Sequence, residues 1–339
     1  MERQRIRHIL LGGIITTVAI SVFFLWSFFS AFSTFSEAHF VYIDSDDNRD
    51  SVFSKLSDEA AFGKYIGIKT LCILSHSTPR PGRYAIAPSI STFQLFRNLR
   101  NGNQAPVRLT IPMVRTSTDL AKKLSHELEG DSALWATALL DSSFCSKYEV
   151  TPATVISLFI PDTYEVYWTI TPDGLLKRMK KESKAFWTEK RRMQAENAGL
   201  SPTEVITLAS IVEQETADNQ EKPMVAGMYL NRLHQGMKLQ ADPTVKFALK
   251  QFGLRRILHE HLSVESPYNT YRNEGLPPGP ICIPSRASIE SVLQYVKHTY
   301  FYMCAKEDFS GSHNFARTYT EHIENARKYT DALNSRGIK

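Results

Sequence analysis

From Ile9 to Phe32 the chain runs for about 24 residues without a charged side chain, rich in Ile, Leu, Val and Phe. As a helix rising 1.5 Å per residue it is about 36 Å long, enough to cross a hydrocarbon core of about 30 Å. In lipid such a segment must satisfy its own backbone, which restricts it to a helix. Arg3, Arg5 and Arg7 precede the run. Glu37, Asp44, Asp46 and Asp47 follow it, with no Lys or Arg before Arg49. The positive-inside rule then leaves residues 1–8 in the cytoplasm, sends 9–32 through the membrane and puts the remainder outside. Ser36-Glu-Ala38 offers a signal-peptide cleavage site as an alternative, but the run is longer than a signal-peptide core, which favours an uncleaved anchor. No second run approaches this length. The expectation is a single-pass protein of the cytoplasmic (inner) membrane with its body on the periplasmic side.

The remaining composition narrows the function classes. At 339 residues and 42% hydrophobic, the chain can bury a large core and has room for two domains. A net charge of +5 without a basic block, and aromatic–basic neighbours only at Arg83-Tyr84 and Phe96-Arg97, argue against a nucleic-acid partner. Cys72, Cys145, Cys282 and Cys304 form no CxxC pair and do not read as a zinc site or disulfide framework. His259-Glu-His261 puts two histidines on one face only if it is a strand, and no third ligand lies nearby, so no metal and no cofactor is expected. There is no GxSxG string and no phosphate-cradling glycine loop.

Residues 40–112 read as a compact α+β module. Within it, Tyr42 to Asp50 is a strand entry and turn, Ser51 to Phe62 a helix, Tyr65 to Leu74 a β-rich stretch, Ser91 to Arg100 a helix and Val107 to Ile111 a strand. Pro79-Arg-Pro-Gly-Arg-Tyr84 is a turn leading into a short strand. Helical spacing then dominates. Thr118 to Leu128, Ser132 to Leu140, and one long basic helix from Asp173 to Asn197 follow, with an extended Phe159 to Trp168 between them. Ser201-Pro-Thr-Glu204 is a helix start, with a Ser cap, Pro at the first position and Glu three residues on. Glu221 to Gln235, Pro243 to Phe252, Ser285 to His298 and Tyr319 to Leu333 read as further helices. Ser266 to Pro284 reads as an ordered loop and Tyr300 to Cys304 as a strand.

The helix opened by Ser201 contains Leu208-Ala-Ser-Ile-Val-Glu-Gln-Glu-Thr216. Glu213 and Glu215 lie two residues apart, which on a helix separates them by about 200°, so they cannot share a face. One can face a buried cleft while the other faces water or a neighbouring element. A carboxyl held on an apolar helix face tends toward a raised pKa, which suits a general acid; solvated helix glutamates are the plain alternative. Downstream lie Asn231-Arg-Leu233, Leu239-Gln-Ala-Asp-Pro-Thr244, Pro267-Tyr-Asn-Thr-Tyr271 and Gly311-Ser-His-Asn-Phe315. Their amides, hydroxyls and aromatic rings suit recognition of a sugar. Gln240 and Asp242 equally fit a cap for the helix at Pro243, and Asn269 a turn.

At these residues the chain resembles the endolytic murein transglycosylases of the MltG (YceG-like) family. The likeness rests on Ala209 to Thr216, Asn231 to Leu233, Gly236 to Val245 and Tyr268 to Tyr271. Gly275-Leu-Pro-Pro-Gly-Pro-Ile281, His313 to Phe315 and Glu321-His322 extend it, with Pro161-Asp-Thr-Tyr164 upstream. Ile111-Pro-Met-Val-Arg115 and Ile156-Ser157 depart from the family pattern. The resemblance implies an α+β fold with one transmembrane helix, a small LysM-like module over 40–112 and a larger helix-rich catalytic domain over 113–335. It implies a membrane-anchored lytic transglycosylase that cuts the MurNAc–GlcNAc β-1,4 bond inside nascent peptidoglycan strands and leaves 1,6-anhydro-MurNAc ends, limiting strand elongation. Glu213 is expected as its acid/base. Gln240, Asp242, Tyr268, Asn269, Tyr271 and His313 are substrate-binding candidates; Glu215, Asn231 and Arg232 are structural neighbours, with Glu215 bonding Arg232 or a backbone amide. Peptidoglycan strands, the membrane and peptidoglycan synthases are the implied partners. A non-catalytic glycan-binding scaffold for the synthases is the alternative, and a water-using hydrolase with Asp242 or Glu215 as second carboxylate is a third reading.

Overall fold

The computed structural model describes residues 2–254 and 256–336, and within them the chain divides into two compact units. The first comprises residues 2–109, 127–129 and 165–170; the second comprises 110–126, 130–164 and the described residues of 171–336.

The first unit begins with helix α1 (Glu2–Phe29), whose residues 3–29 are long and apolar enough to cross a membrane and are largely exposed until Ser27, which is buried. Strand β1 (His39–Ile43), helices α2 (Arg49–Glu59) and α3 (Lys64–Leu74), strand β2 (Gly82–Ile86) and helix α4 (Thr92–Asn101) follow. β1 and β2 pair antiparallel, His39 opposite Ile86 and Ile43 opposite Gly82. Val41, Ile43, Tyr84 and Ile86 meet Val52, Phe53, Leu56, Ile68, Leu95 and Leu99 in one core. Asn48 caps α2, and Ser91 with Gln94 forms a capping box on α4.

The stretch Tyr65 to Leu74, expected to be β-rich, is helix α3. Its β-branched and aromatic residues favour a strand locally, and a continuous apolar run carries no period that separates the two. Tertiary packing decides. Ile68 and Cys72 point into the core, and Gly67 lets α3 approach α1 so closely that a Cβ there would stand 2.4 Å from Ser27 Oγ.

The second unit is mainly helical. After β3 (Val107–Thr110) come α5 (Ser117–Glu127), α6 (Ser132–Leu140) and α7 (Ser142–Ser146). β4 (Thr163–Val166) forms a two-stranded sheet with β3, of which residues 107–109 and 165–166 belong to the first unit. The expected single helix over 173–197 is two, α8 (Pro172–Phe186) and α9 (Glu189–Asn197). The chain breaks at Trp187 because Phe186 and Trp187 both turn into the core and Thr188 caps a new helix.

α10 (Pro202–Glu215) has the predicted start: Ser201 Oγ accepts from the Glu204 amide and Glu204 accepts from the Ser201 amide. Every residue from Val205 to Val212 is buried, so this helix is the centre of the core. It packs on α11 (Lys222–His234), α12 (Asp242–Leu249) and, past the short α13 (His259–Leu262), α14 (Arg286–Leu293). α14 ends at Leu293, five residues short of the expected end at His298, because the Val296 amide turns to bond Pro223 O at 3.0 Å. β5 (Tyr302–Ala305) and β6 (His313–Ala316) form an antiparallel hairpin, and α15 (Tyr319–Ser335) closes the chain.

Leu208→Ala on α10 is expected to destabilise the protein by about 2–5 kcal/mol, the range for emptying a fully buried leucine site. Ser201→Ala, which removes only the cap, is expected to cost about 1 kcal/mol. Urea denaturation that ranks the two equally would contradict the central position of α10.

Candidate active site

α10 presents its two carboxylates to different surroundings, as the offset of about 200° requires. Glu213 faces α14 and α11. Its Oε2 accepts from the Ser285 amide at 3.0 Å, from the Ser285 and Ser288 hydroxyls at 2.5 Å each, and from Lys222 Nζ at 3.4 Å. Both side chains of this ion pair are buried, Glu213 at 8% and Lys222 at 4% exposure. Burial pushes the Glu213 carboxyl up. The two serine hydroxyls, the Ser285 amide and the Lys222 cation outweigh it and hold the group below the ordinary carboxylate range. Glu213 is thus an ionised clamp between three elements, and the raised pKa expected of it is not found there.

Glu215 faces a cavity of about 380 Å³ in the second unit. Tyr229 of α11 donates its hydroxyl to Glu215 Oε1 at 2.6 Å. Burial pushes this carboxyl up, the Tyr229 hydrogen bond pulls it down, and the negative charge of Asp242 pushes it up again, leaving a pKa of about 7. The expected bond from Glu215 to Arg232 is replaced by this one to Tyr229.

The rest of the lining comes from distant segments. Gln240 precedes α12, Asp242 opens it, Tyr271 lies on the following loop, and Tyr302, His313, Tyr319 and His322 come from the hairpin and α15. Tyr271 donates to Asp242 Oδ1 at 2.7 Å. Arg232 donates to Gln240 Oε1 at 2.7 Å and to Leu239 O at 3.2 Å, and its guanidinium lies 5.4 Å from the Tyr302 ring centre. Gln240 adopts φ 52°, a left-handed conformation rare for a side chain of this kind. Its amide is held by Thr270 O at 3.0 Å. His313 bonds Glu221 through its amide and its Nδ1, at 2.6 and 2.8 Å, which fixes its ring at the cavity edge. Carboxyl, amide, phenol and imidazole groups converge here on one acid near neutrality. That arrangement can bind a polyhydroxylated substrate and transfer a proton to it.

Of the residues singled out from the sequence, Gln240, Asp242, Tyr271 and His313 line this cavity together with Glu215 and Arg232. Gln240 and Asp242 do not cap α12, whose capping position is Ala241 and carries no side-chain cap. Tyr268 and Asn269 lie outside the lining. Tyr268 packs on Phe247, ring centres 4.6 Å apart, and Asn269 is fully buried. The Asn269 side chain donates to Leu262 O and Val264 O and accepts from the Tyr271 amide, so it shapes the loop that carries Tyr271. Asn231 ties α11 to the approach of β5 by donating to His298 O and Tyr300 O. Sequence reasoning missed Tyr229, Tyr302, Tyr319 and His322 as lining residues, and Ser285, Ser288 and Lys222 as partners of Glu213. His322 lay in a quoted motif; the others carry no local signal.

His259-Glu-His261 lies in the short helix α13, not in a strand. Among the described residues no three His, Cys, Asp or Glu side chains are grouped to hold a metal. A larger cavity of about 960 Å³, lined by Tyr148, Lys184, Trp187, Leu200 and Ile206 among others, contains neither glutamate of α10.

The endolytic murein transglycosylase of Bacillus subtilis (strain 168) is 33% identical over 164 residues, 48% of this chain and 44% of the relative. That of Streptococcus pneumoniae serotype 2 is 28% identical over 289 residues, 75% of this chain and 51% of the relative. The chain thus spans about half the length of these curated relatives. A crystal structure of a yceG-like protein from Listeria monocytogenes superposes with a TM-score of 0.56 at 27% identity, covering 86% of this chain and 99% of that one. The YceG-like family model matches residues 41–328, and the chain belongs to that family.

Proposed function

We propose that this protein is a lytic transglycosylase of peptidoglycan, anchored in the membrane by α1, with Glu215 as its acid/base. The observation that carries the reading is a single carboxyl with a pKa of about 7 in a cavity lined by amide, phenol and imidazole groups. The names of the relatives, endolytic murein transglycosylase, support the substrate class. Glu213, the acid expected from the sequence, is the weaker candidate: it is an ion-paired anion saturated with donors and has no proton to give near neutral pH.

In this mechanism Glu215 protonates the glycosidic oxygen between N-acetylmuramic acid and N-acetylglucosamine as the C1–O bond breaks. The resulting carboxylate takes the proton from the C6 hydroxyl of the muramic acid as that oxygen closes on C1. The product is a 1,6-anhydro end, and Glu215 regains its proton. Because the nucleophile belongs to the substrate, one carboxyl suffices, whereas ordinary glycosidases use two. The Tyr229 hydroxyl steadies Oε1 in the charged state. Gln240, Arg232, Tyr271 and Tyr302 are placed to orient the sugar. Arginines before the apolar helix and acidic residues after it favour a cytoplasmic N-terminus, with the body outside, where nascent strands emerge beside their synthases. The first unit, a two-stranded sheet flanked by helices, is assigned to glycan binding as a LysM-like module. A hydrolase reading retains one supporting observation, the presence of Asp242 in the same cavity.

Mass spectrometry of fragments from intact peptidoglycan tests the chemistry. Anhydro ends are expected. Reducing ends would favour the hydrolase, and binding without new ends would favour a scaffold. Glu215→Gln is expected to lower turnover at least 10²-fold, the scale of general acid–base catalysis. Activity of the native protein is expected to fall as pH rises through about 7.

The two carboxylates also part in stability. Glu213→Gln strands a buried Lys222 and is expected to cost about 3–5 kcal/mol, while the folded fraction keeps turning over. Glu215 binds its proton more tightly folded than unfolded. Its contribution to stability therefore declines as pH rises from the ordinary 4.5 to about 7, and Glu215→Gln is expected to abolish that decline in a pH series of urea melts. A Glu215→Gln protein with native turnover, or a folded Glu213→Gln protein without any, would return the catalytic role to Glu213.

A further inference from the structure

The start of α3 is packed against the last turns of α1. A Cβ on Gly63 would stand 2.9 Å from the Trp26 ring and 3.6 Å from the Phe23 ring, and one on Gly67 would stand 3.4 Å from the Phe28 ring. Lys64 Nζ donates to Trp26 O at 2.7 Å and to Ser30 Oγ, and lies 3.4 Å from the Trp26 ring centre. Ser27 Oγ donates to Gly63 O at 2.9 Å. These contacts work as a depth gauge, because Phe23 to Ser30 all belong to the uncharged run. At 1.5 Å per residue, Phe23 lies about 9 Å before the end of α1 at Phe29. A segment fastened to residues 23–30 shares their depth.

The outward side of that segment is apolar apart from Lys69, whose ammonium lies near the Phe53 and Tyr65 rings. Phe62, Ile66, Ile73 and Leu74 are 91%, 50%, 50% and 71% exposed. Ile66 and Ile73 fall at i and i+7 on one helical stripe with Leu74 beside it, and Phe62 lies in the turn just before the helix. Ile68 and Cys72, on the opposite side, are buried in the core of the unit. On α1, Trp26 and Phe29 are themselves exposed apolar residues. A helix apolar on both faces, one in the core and one open, matches a protein interior on one side and a lipid environment on the other.

We propose that α3 is a second membrane element, lying along the boundary between headgroups and acyl chains with Phe62, Ile66, Ile73 and Leu74 inserted into lipid. The inference rests on the reading that α1 crosses the bilayer. Lys64 sits where a cation at that boundary is favourable, over the C-terminal carbonyls of α1. A lone spanning helix leaves its attached unit free to swivel, and a second lipid contact holds the unit against the surface.

The full chain, reconstituted into phosphatidylcholine–phosphatidylglycerol nanodiscs, is to be spin-labelled singly at Ile66→Cys, Ile73→Cys, Ile15→Cys and Lys190→Cys. Cys304→Ser removes the half-buried thiol, and the other three cysteines are buried. Paramagnetic relaxation by oxygen reports lipid, and relaxation by a water-soluble nickel chelate reports water. The oxygen-to-nickel ratio at positions 66 and 73 is expected to stand several-fold above that at 190 and below that at 15, which lies deeper in the span. If 15 reads lipid while 66 and 73 read water, the proposal fails and the anchor stands. If 66 and 73 are shielded from both reagents, a protein partner or second copy covers the face, and the proposal fails. If 15 also reads water, the anchor reading falls and this inference with it.

Discussion

The buried pairing of Glu213 with Lys222 is the constraint on which the second unit depends. Two charges withdrawn from water persist only where their mutual attraction is joined by further hydrogen bonds. Ser285 supplies an amide and a hydroxyl and Ser288 a second hydroxyl, at the N-terminus of α14, where the helix dipole also favours an anion. Three helices, α10, α11 and α14, therefore meet at one carboxylate oxygen. The consequence is rotational. Once residue 213 is committed to α14, helix geometry turns residue 215 about 200° away, toward Tyr229 and the cavity. An anion outside the cavity sets the aim of the acid inside it.

The same two carboxyls illustrate how neighbours, more than burial, decide protonation. Desolvation is the largest influence on both and raises both. At Glu213 three hydrogen bonds and a cation reverse it. At Glu215 a single phenol opposes it while Asp242 reinforces it, so the group titrates near 7. Divergent environments for paired acids are the usual way one site obtains an anion and a proton donor from identical side chains. The cavity carries a second mark of functional constraint in Gln240, a non-glycine residue with φ 52°. Such a conformation costs of order 1–3 kcal/mol and survives only where surroundings enforce it. Here Thr270 O takes the Gln240 amide and Arg232 takes its side-chain oxygen.

Much of the fold was legible because helix starts are written locally. Ser201, Pro202 and Glu204 announce α10, and Ser91 with Gln94 announces α4, through bonds that span three residues. The errors lie where a distant contact overrules a local preference. Tyr65 to Leu74 has the composition of a strand but is a helix because it must fit between α1 and the core through Gly67. The helix expected over 173–197 breaks because Phe186 and Trp187 are worth more inside the core than the continued backbone ladder is outside it.

The candidate site divides along the same line. Gln240, Asp242, Tyr271 and His313 could be singled out because polar and aromatic groups cluster in short strings around them. Tyr268 and Asn269 belong to the same strings yet serve the loop, and nothing in one chain's sequence separates the ring that packs on Phe247 from the ring that bonds Asp242. The choice between Glu213 and Glu215 lies still further from local information. Helix periodicity states that they diverge, but which one keeps a proton is decided by Ser285 and Ser288 about seventy positions downstream, and by Tyr229 and Asp242. The rule that a carboxyl on an apolar helix face has a raised pKa weighs only desolvation, one of three influences. It holds for the residue whose face opens on a cavity with one donor. It fails for the residue whose face meets a helix N-terminus and a lysine.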